Sequence, residues 1–246
     1  MSDLLELTGR AEATHFWFRG FRAYIAPQIA AIAAGRRDLR ILECGCGTGY
    51  NLTMLRPYGR TFAFDLTSSG VTRTRASGRP VVRADIQAIP FAADSFDLAT
   101  SFDVVQSVPD DRQALREMAR VLKPGGHAVL NVTAMDWLRG DHSDVWDEQR
   151  RYTSERAARL LADVGLERVR LTYLFGSLVP LMLAVRTGQK LLRPFRPPAG
   201  DFDLTVPIAP VNAALTWMVR GEAALARRVP LPVGSSLMIV ARKPSS

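Results

Sequence analysis

The chain of 246 residues contains only two cysteines, Cys44 and Cys46, and a single residue separates them. Two cysteines this close cannot form an unstrained disulfide in an extended or tightly turning backbone. The three histidines, His15, His127 and His142, are scattered along the chain, so no local spacing assembles a tetrahedral zinc site. These scarcities exclude a disulfide-stabilised secreted fold, and we predict no metal site.

The sequence also lacks a recognisable targeting or membrane-spanning segment. Its start, MSDLLELTGR, carries acidic residues and no basic region followed by an apolar stretch, so it does not resemble a signal peptide. The longest uncharged stretch, residues 171–185, contains Gly176 and Pro180 and is shorter than the roughly 20 residues that span a bilayer. We therefore expect a cytoplasmic protein.

Acidic residues are outnumbered by basic ones, and the net charge is +8. This excess could indicate an anionic partner, or it could reflect only an arginine-rich proteome. No arginine-glycine repeat, zinc-finger spacing or long basic tail is present, and such features are typical of nucleic-acid-binding proteins. We therefore expect no nucleic-acid partner.

What the chain does contain is a regular alternation of strand and helix patterns. Between two of the strand patterns, residues 111–122 repeat apolar side chains at helical spacing, and so do residues 157–164, with Ser154 as a candidate N-cap and Gly165 just past the end. Such alternation predicts a doubly wound α/β fold. The predicted strands are LRILEC, TFAFDL, PVVRAD, FDLATSF, HAVLNVT, ERVRLTYL and SLMIVARK.

Two segments lie outside this alternation. We divide the chain into an N-terminal helical lid (1–38), an α/β core (39–174), an insertion or substrate lid (175–234) and a last core strand (235–246). The insertion is apolar at its start and then basic, with no acid between its cations Arg186, Lys190, Arg193 and Arg196. It could seat a lipophilic or anionic substrate, touch a membrane surface, join two subunits or simply cover the sheet. The sequence leaves the oligomeric state open.

A glycine-rich turn follows the first predicted strand. Gly45, Gly47 and Gly49 have the spacing G-x-G-x-G, whereas a dinucleotide fingerprint has G-x-G-x-x-G. Asp65 ends the second strand about twenty residues later, where such folds place a carboxylate for ribose hydroxyls. Asp85 ends the third strand. Acids at successive strand ends predict a nucleoside site at the carboxyl edge of the sheet.

On these motifs the chain resembles the class I S-adenosylmethionine-dependent methyltransferases, over roughly residues 39–173. ILECGCGTGYN is similar to the glycine-rich first motif, FAFDL to the ribose acid, RADIQAIPFAADSFDLATSFDVVQSVPDD to the adenine-binding and fourth-strand motifs, and EMARVLKPGG to the turn before the fifth strand. The resemblance implies a Rossmann-like, mostly parallel sheet of seven strands with the last one antiparallel, and S-adenosyl-L-methionine as cofactor.

The resemblance also implies cofactor contacts, residue by residue. A narrower likeness of HFWFRGFR, DHSDVWDEQRRYT and GSSLMIVARKP to a bacterial branch implies an N-terminal helix that closes over the cofactor. Trp17 and Phe18 could stack over the sulfonium by cation–π attraction or serve only as hydrophobic staples of that helix, and we favour the lid. That branch has Glu-His where this chain has Gln106-Ser107, and a histidine where Glu148 stands. The implied cofactor-binding residues are Trp17, Glu43, Gly45, Gly47, Asp65, Leu66, Asp85, Ile86, Ser101 and Phe102.

Methyl transfer chiefly requires that the acceptor and the activated methyl be held in line. A base is needed only when the acceptor keeps its proton, and the candidates are His142, Asp103 and Tyr152, with His15 as a further one. We expect O-, N- or C-methylation of a small hydrophobic metabolite. The alternatives are cofactor-retaining cyclase-like chemistry, a dehydrogenase, or a non-catalytic membrane-associated protein.

Overall fold

The computed structural model describes residues 2–140, 143, 145–192 and 205–245, and within them seven strands form one sheet. The strands are β1 (Leu39–Cys44), β2 (Gly59–Asp65), β3 (Val81–Arg83), β4 (Phe96–Phe102), β5 (Leu122–Thr133), β6 (Glu167–Leu174) and β7 (Ser236–Arg242). Their order is β3-β2-β1-β4-β5-β7-β6, and only β7 runs antiparallel to its neighbours. The predicted fold class is confirmed.

Helices cover both faces of this sheet. They are α1 (Ser2–Ala11), α2 (Phe16–Ala33), α3 (Leu52–Leu55), α4 (Ser68–Ala76), α5 (Asp111–Val121), α6 (Ser154–Asp163), α7 (Val179–Leu192) and α8 (Ala209–Ala226). One apolar layer packs α5 and α6 against the sheet, and the other packs α2 and α8 against the opposite face. Neighbouring residues of β1, Ile41 and Leu42, enter different layers because side chains alternate along a strand. No helix in the described part of the chain combines the length and apolar character needed to cross a bilayer.

The turn predicted before the fifth strand lies inside β5. Leu122 pairs with Phe96 and His127 with Leu98, so the residues between form an irregularity in the ladder. Gly125 has a φ of +76°, and a Cβ on Gly126 would lie 2.8 Å from the carbonyl oxygen of Lys123. The Lys-Pro-Gly-Gly stretch is therefore a bulge that re-aims the strand.

The start of α6 corrects a detail of the sequence analysis. Thr153 is the N-cap, with its hydroxyl accepting from the backbone N–H of Arg156, and Ser154 is the first helical residue. Both residues can cap a helix, so the pattern alone did not distinguish them. Gly165, with a φ of +73°, follows the helix end as expected.

Candidate cofactor-binding site

A tight, glycine-rich turn follows β1 directly. Gly45 has a φ of +78°, and a Cβ there would lie 2.4 Å from Cγ2 of Val104, so no larger residue fits. The backbone N–H groups of Gly45 and Cys46 both donate to the carbonyl of Phe64. The two thiols are buried, and burial raises the pKa of Cys44 and of Cys46. These cysteines therefore serve as small packing residues.

Asp65 joins this turn to β2. Its Oδ2 accepts from the backbone N–H of Gly47 at 2.7 Å, and its Oδ1 accepts from the backbone N–H and the hydroxyl of Thr67 at 2.8 and 2.6 Å. A carboxylate oxygen can accept two hydrogen bonds, so Oδ2 retains capacity for a further donor. The structure thus orients Asp65 toward the turn, and its contact with ribose hydroxyls stays a prediction.

Two buried polar side chains lie near the carboxyl ends of the adjacent strands β1 and β4. Oε2 of Glu43 and Oγ of Ser101 have no hydrogen-bond partner among the described residues, although both side chains are buried. Burial, with the charge of Glu12 adding to it, raises the pKa of Glu43 to about 8. Unsatisfied polar atoms of this kind are expected where a ligand supplies the partner.

The predicted adenine contacts flank the same edge. Oδ1 of Asp85 accepts from the backbone N–H of Gln87 at 2.8 Å, and Ile86 is buried. Leu66 is 58% exposed beside Asp65, whereas Phe102 is buried with its ring edge against Phe21. Their roles toward adenine and the methionine tail remain predictions.

The N-terminal segment starts α2 with an aromatic cluster. Nδ1 of His15 accepts from the backbone N–H of Trp17, so His15 caps the helix. The Trp17 ring stacks on Phe175, with centroids 3.9 Å apart. Its contact with the cofactor stays a prediction, and the capping role gives His15 a structural function.

Sequence reasoning missed how α1 covers the glycine-rich turn. The hydroxyl of Thr48 donates to Oε2 of Glu12 at 2.6 Å, and Leu5 lies 3.5 Å from the position of a Cβ on Gly47. The Arg22 guanidinium donates to the Glu12 carbonyl and lies over the Tyr50 ring. Burial raises the pKa of Glu12, and the hydrogen bond from Thr48 opposes that shift. No spacing in the sequence links Glu12 to Thr48.

Asp103 stands at the end of β4 in the left-handed backbone region, with a φ of 58°. Its Oδ1 accepts from Nδ2 of Asn131 at 2.8 Å, and its backbone N–H donates to the Asn131 carbonyl. Oδ1 of Asn131 is buried without a partner among the described residues, as is Oε1 of Gln106. Asn131 was missed, although an amide within the apolar strand HAVLNVT was a signal for it.

The other two base candidates are placed differently. Tyr152 is fully buried, and its hydroxyl donates to Oδ2 of Asp111 at 2.8 Å. Burial and the Asp111 charge raise the Tyr152 pKa, so the phenol holds its proton. His142 lies outside the described residues.

The two arginines that precede Tyr152, Arg150 and Arg151, form hydrogen bonds within the protein. Arg151 is buried, and it donates to Glu148, Ser143 and the carbonyl of Ala134. Arg150 donates to backbone carbonyls that follow β4. Both arginines therefore bind protein groups.

Comparison with known proteins identifies the domain that contains this site. Residues 42–130 match the model of a family described as "Methyltransferase domain". The chain carries a class I, S-adenosylmethionine-dependent methyltransferase domain. It is 31% identical over 175 residues to an uncharacterized 37.1 kDa protein in transposon TN4556 of Streptomyces fradiae, covering 67% of this chain and 50% of that one. It is also 31% identical over 141 residues to malonyl-[acyl-carrier protein] O-methyltransferase of Erwinia billingiae, covering 56% of each.

The chain spans about half the length of these relatives. Among solved structures, an S-adenosylmethionine dependent methyltransferase from Mesorhizobium loti has a TM-score of 0.56 and 20% identity, covering 88% of this chain and 96% of that one. The [4+2]-cyclase SpnF has a TM-score of 0.58 and 18% identity, covering 91% of this chain and 81% of that one. These structural likenesses establish the fold of the methyltransferase domain.

The residues present fit S-adenosyl-L-methionine, the cofactor of this domain. Gly45 lets the turn pass close to Val104, with no side chain of its own between the backbone and the carboxyl edge of the sheet. The unpartnered oxygens of Glu43 and Ser101 could accept from or donate to polar groups of the cofactor, and Asp65 retains an acceptor site. The methyltransferase domain thus offers hydrogen-bonding groups on both sides of its glycine-rich turn.

Proposed function

We propose that this protein transfers the methyl group of S-adenosyl-L-methionine to a small, lipophilic acceptor. The observation that carries the proposal is a pair of buried oxygens, Oε2 of Glu43 and Oγ of Ser101, which have no hydrogen-bond partner among the described residues and lie beside a glycine-rich turn held by Asp65. The cofactor supplies an already activated methyl group, so the protein's task is to bind, to orient and to exclude water. The cytoplasmic location remains a prediction.

Within this proposal Asp103 faces the acceptor and takes its proton where the acceptor keeps one. Asn131 positions Asp103 through the 2.8 Å hydrogen bond, and the left-handed backbone turns the carboxylate away from the strand direction. A carboxylate held in this way can act as a general base within hydrogen-bond reach of an acceptor. Acceptors that are already deprotonated need no such step.

The acceptor's lipophilic character is inferred from the insertion between β6 and β7. Residues 175–185 of that insertion carry no charge, and Leu178 and Met182 pack in the apolar layer that also contains Phe102 of β4. The relative from Erwinia billingiae is named for O-methylation of a malonyl group on a carrier protein. An anionic acyl group is therefore a further acceptor class to include in the test.

The test is transfer of label from methyl-tritiated S-adenosyl-L-methionine to a bacterial metabolite extract separated by polarity. We expect labelled lipophilic products and formation of S-adenosylhomocysteine. Asp65→Ala should abolish both, because it removes an acceptor at the cofactor site and the anchor of Gly47. Asp163→Ala, at an exposed ion pair with Arg112, is the matched control and should leave transfer unchanged. Cofactor binding by calorimetry without S-adenosylhomocysteine formation would favour cyclase-like chemistry instead.

A further inference from the structure

The outward side of α8 is apolar although it faces solvent. Val211, Met218 and Leu225 recur every seven residues, so they lie along one line of the helix, and Trp217, rotated by about 100° from Met218 on the same exposed side, is 77% exposed. The opposite side of α8 is buried, with Val219 in the apolar layer shared with α2. This helix therefore has two apolar sides, and the described residues cover only one of them.

Basic residues border this apolar side. Arg220 is three residues after Trp217 and Arg228 three residues after Leu225, so each lies next to an exposed apolar side chain, and Arg227 is exposed beyond them. Glu222 is the only acid between residues 205 and 230. Glu222 is turned inward, where its two oxygens accept from the backbone N–H groups of Gly176 and Ser177 at 2.7 and 2.8 Å. Its charge is thus used to hold the turn after β6.

Helix α7, which like α8 contacts the turn at residues 176–178, carries further exposed apolar side chains. Leu181, Leu183 and Val185 are exposed, and the α7 sequence contains two cations and no acid. This helix contacts the 3-10 turn at residues 136–138, which follows β5 and exposes Trp137. The carboxyl end of β5 lies at the same edge of the sheet as the cofactor site.

We propose that α7 and α8 form a docking surface for an anionic phospholipid bilayer. Apolar side chains on helices that lie in the plane of a bilayer enter the boundary between headgroups and acyl chains, and tryptophan favours this boundary. Arginines at the rim attract anionic headgroups. A second copy of this chain would bring Arg220, Arg227 and Arg228 against the same cations, so charge favours the anionic bilayer over self-association.

The first test is co-sedimentation of the full chain with vesicles of phosphatidylcholine, with and without phosphatidylglycerol. We expect binding to the anionic vesicles, weakened by salt. Arg227→Gln with Arg228→Gln should weaken it by about fivefold per arginine. Arg116→Gln with Arg159→Gln removes two exposed arginines from α5 and α6, on the opposite face of the sheet, and should leave binding unchanged. Equal binding to neutral and anionic vesicles, or equal losses in the two double variants, overturns the proposal.

The second test separates the bilayer from a protein partner. Trp217→Ala should lower vesicle affinity by about tenfold or more, because it removes a large apolar side chain from the boundary. The side chain is 77% exposed, so circular dichroism should show an unchanged fold. Unchanged vesicle binding, or a dimer in sedimentation velocity that Trp217→Ala dissociates, overturns the proposal. Because neither test measures methyl transfer, they stand or fall independently of the proposed function.

Discussion

Glu43 occupies an unusual environment for a carboxyl group. The side chain is buried at the end of β1, and one of its oxygens has no partner among the described residues. Burial of a carboxylate disfavours its charged form, which explains a pKa near 8. A bound cofactor could supply the missing partner, so this residue links the stability of the fold to the proposed function.

The stability of the protein should therefore depend on pH through Glu43. Its pKa is raised from 4.5 to about 8, so between these values the native state holds a proton that the unfolded state has lost. The free energy of unfolding then falls as pH rises, by up to about 1.4 kcal/mol per pH unit. Glu43→Gln cannot ionise at this position. In urea unfolding at pH 5 and pH 8, the free energy of unfolding of the variant should therefore rise relative to that of the wild type at the higher pH.

Glu167→Gln is the control for this experiment, because Glu167 is exposed in an ion pair with Arg242. We expect Glu167→Gln to follow the wild-type pH dependence. A constant difference in unfolding free energy between Glu43→Gln and the wild type across this range would contradict the raised pKa.

Tyr152 gives a second prediction, which separates a structural role from a catalytic one. Its hydroxyl donates to Asp111, which also lies near the guanidinium groups of Arg150 and Arg156. Tyr152→Phe should lower the free energy of unfolding by about 1 kcal/mol, because one buried hydrogen bond is lost. Cofactor affinity and transfer rate should remain at the wild-type values, as they should in the control variant Tyr58→Phe, whose side chain is half-buried. A transfer rate that collapses while stability is retained would restore Tyr152 as a base.

The sequence predicted the strand boundaries better than the irregularity in β5 or the packing of helices around the site. β1, β4 and β6 begin and end where the β-branched runs do, because those runs are bounded by polar or turn-forming residues. Lys-Pro-Gly-Gly breaks the local apolar pattern and so predicts a turn, whereas in the structure it forms a bulge beyond which the β4–β5 ladder resumes. The cover of the glycine-rich turn by α1 depends on contacts between distant residues, which local periodicity does not encode.

The contact between α1 and the glycine-rich turn should control access to the site. Glu12→Ala removes the acceptor of the Thr48 hydroxyl, so hydrogen exchange should accelerate in residues 2–11 and 45–51. Cofactor dissociation should become faster for the same reason. Glu6→Ala, which breaks only an exposed ion pair with Arg10, is the control. Similar exchange rates in the two variants would show that Glu12 does not hold α1 in place.

The whole molecule is one sheet with an apolar layer on each face, and this level was largely predictable. Right-handed crossovers between parallel strands leave few possible orders, and the motif order at the carboxyl edge agrees with one of them. The insertion was harder to interpret, because an apolar and basic segment fits a substrate lid, a dimer interface and a membrane surface equally well. Only the structure shows that Glu222 points inward and accepts a hydrogen bond from Gly176.

Because the two layers share the strands, we expect them to unfold together. Ile41 and Leu42 are consecutive, both fully buried, and belong to different layers. Ile41→Ala and Leu42→Ala should each lower the free energy of unfolding by about 2–5 kcal/mol through lost burial and the cavity left behind. Urea transitions followed by tryptophan fluorescence and by circular dichroism should coincide in both variants, since any loss in one layer weakens the sheet that the other needs. Val169→Ala, at a 54% exposed side chain, should change stability by no more than about 0.5 kcal/mol. A separate early transition in only one of the two variants would mean that its layer unfolds independently.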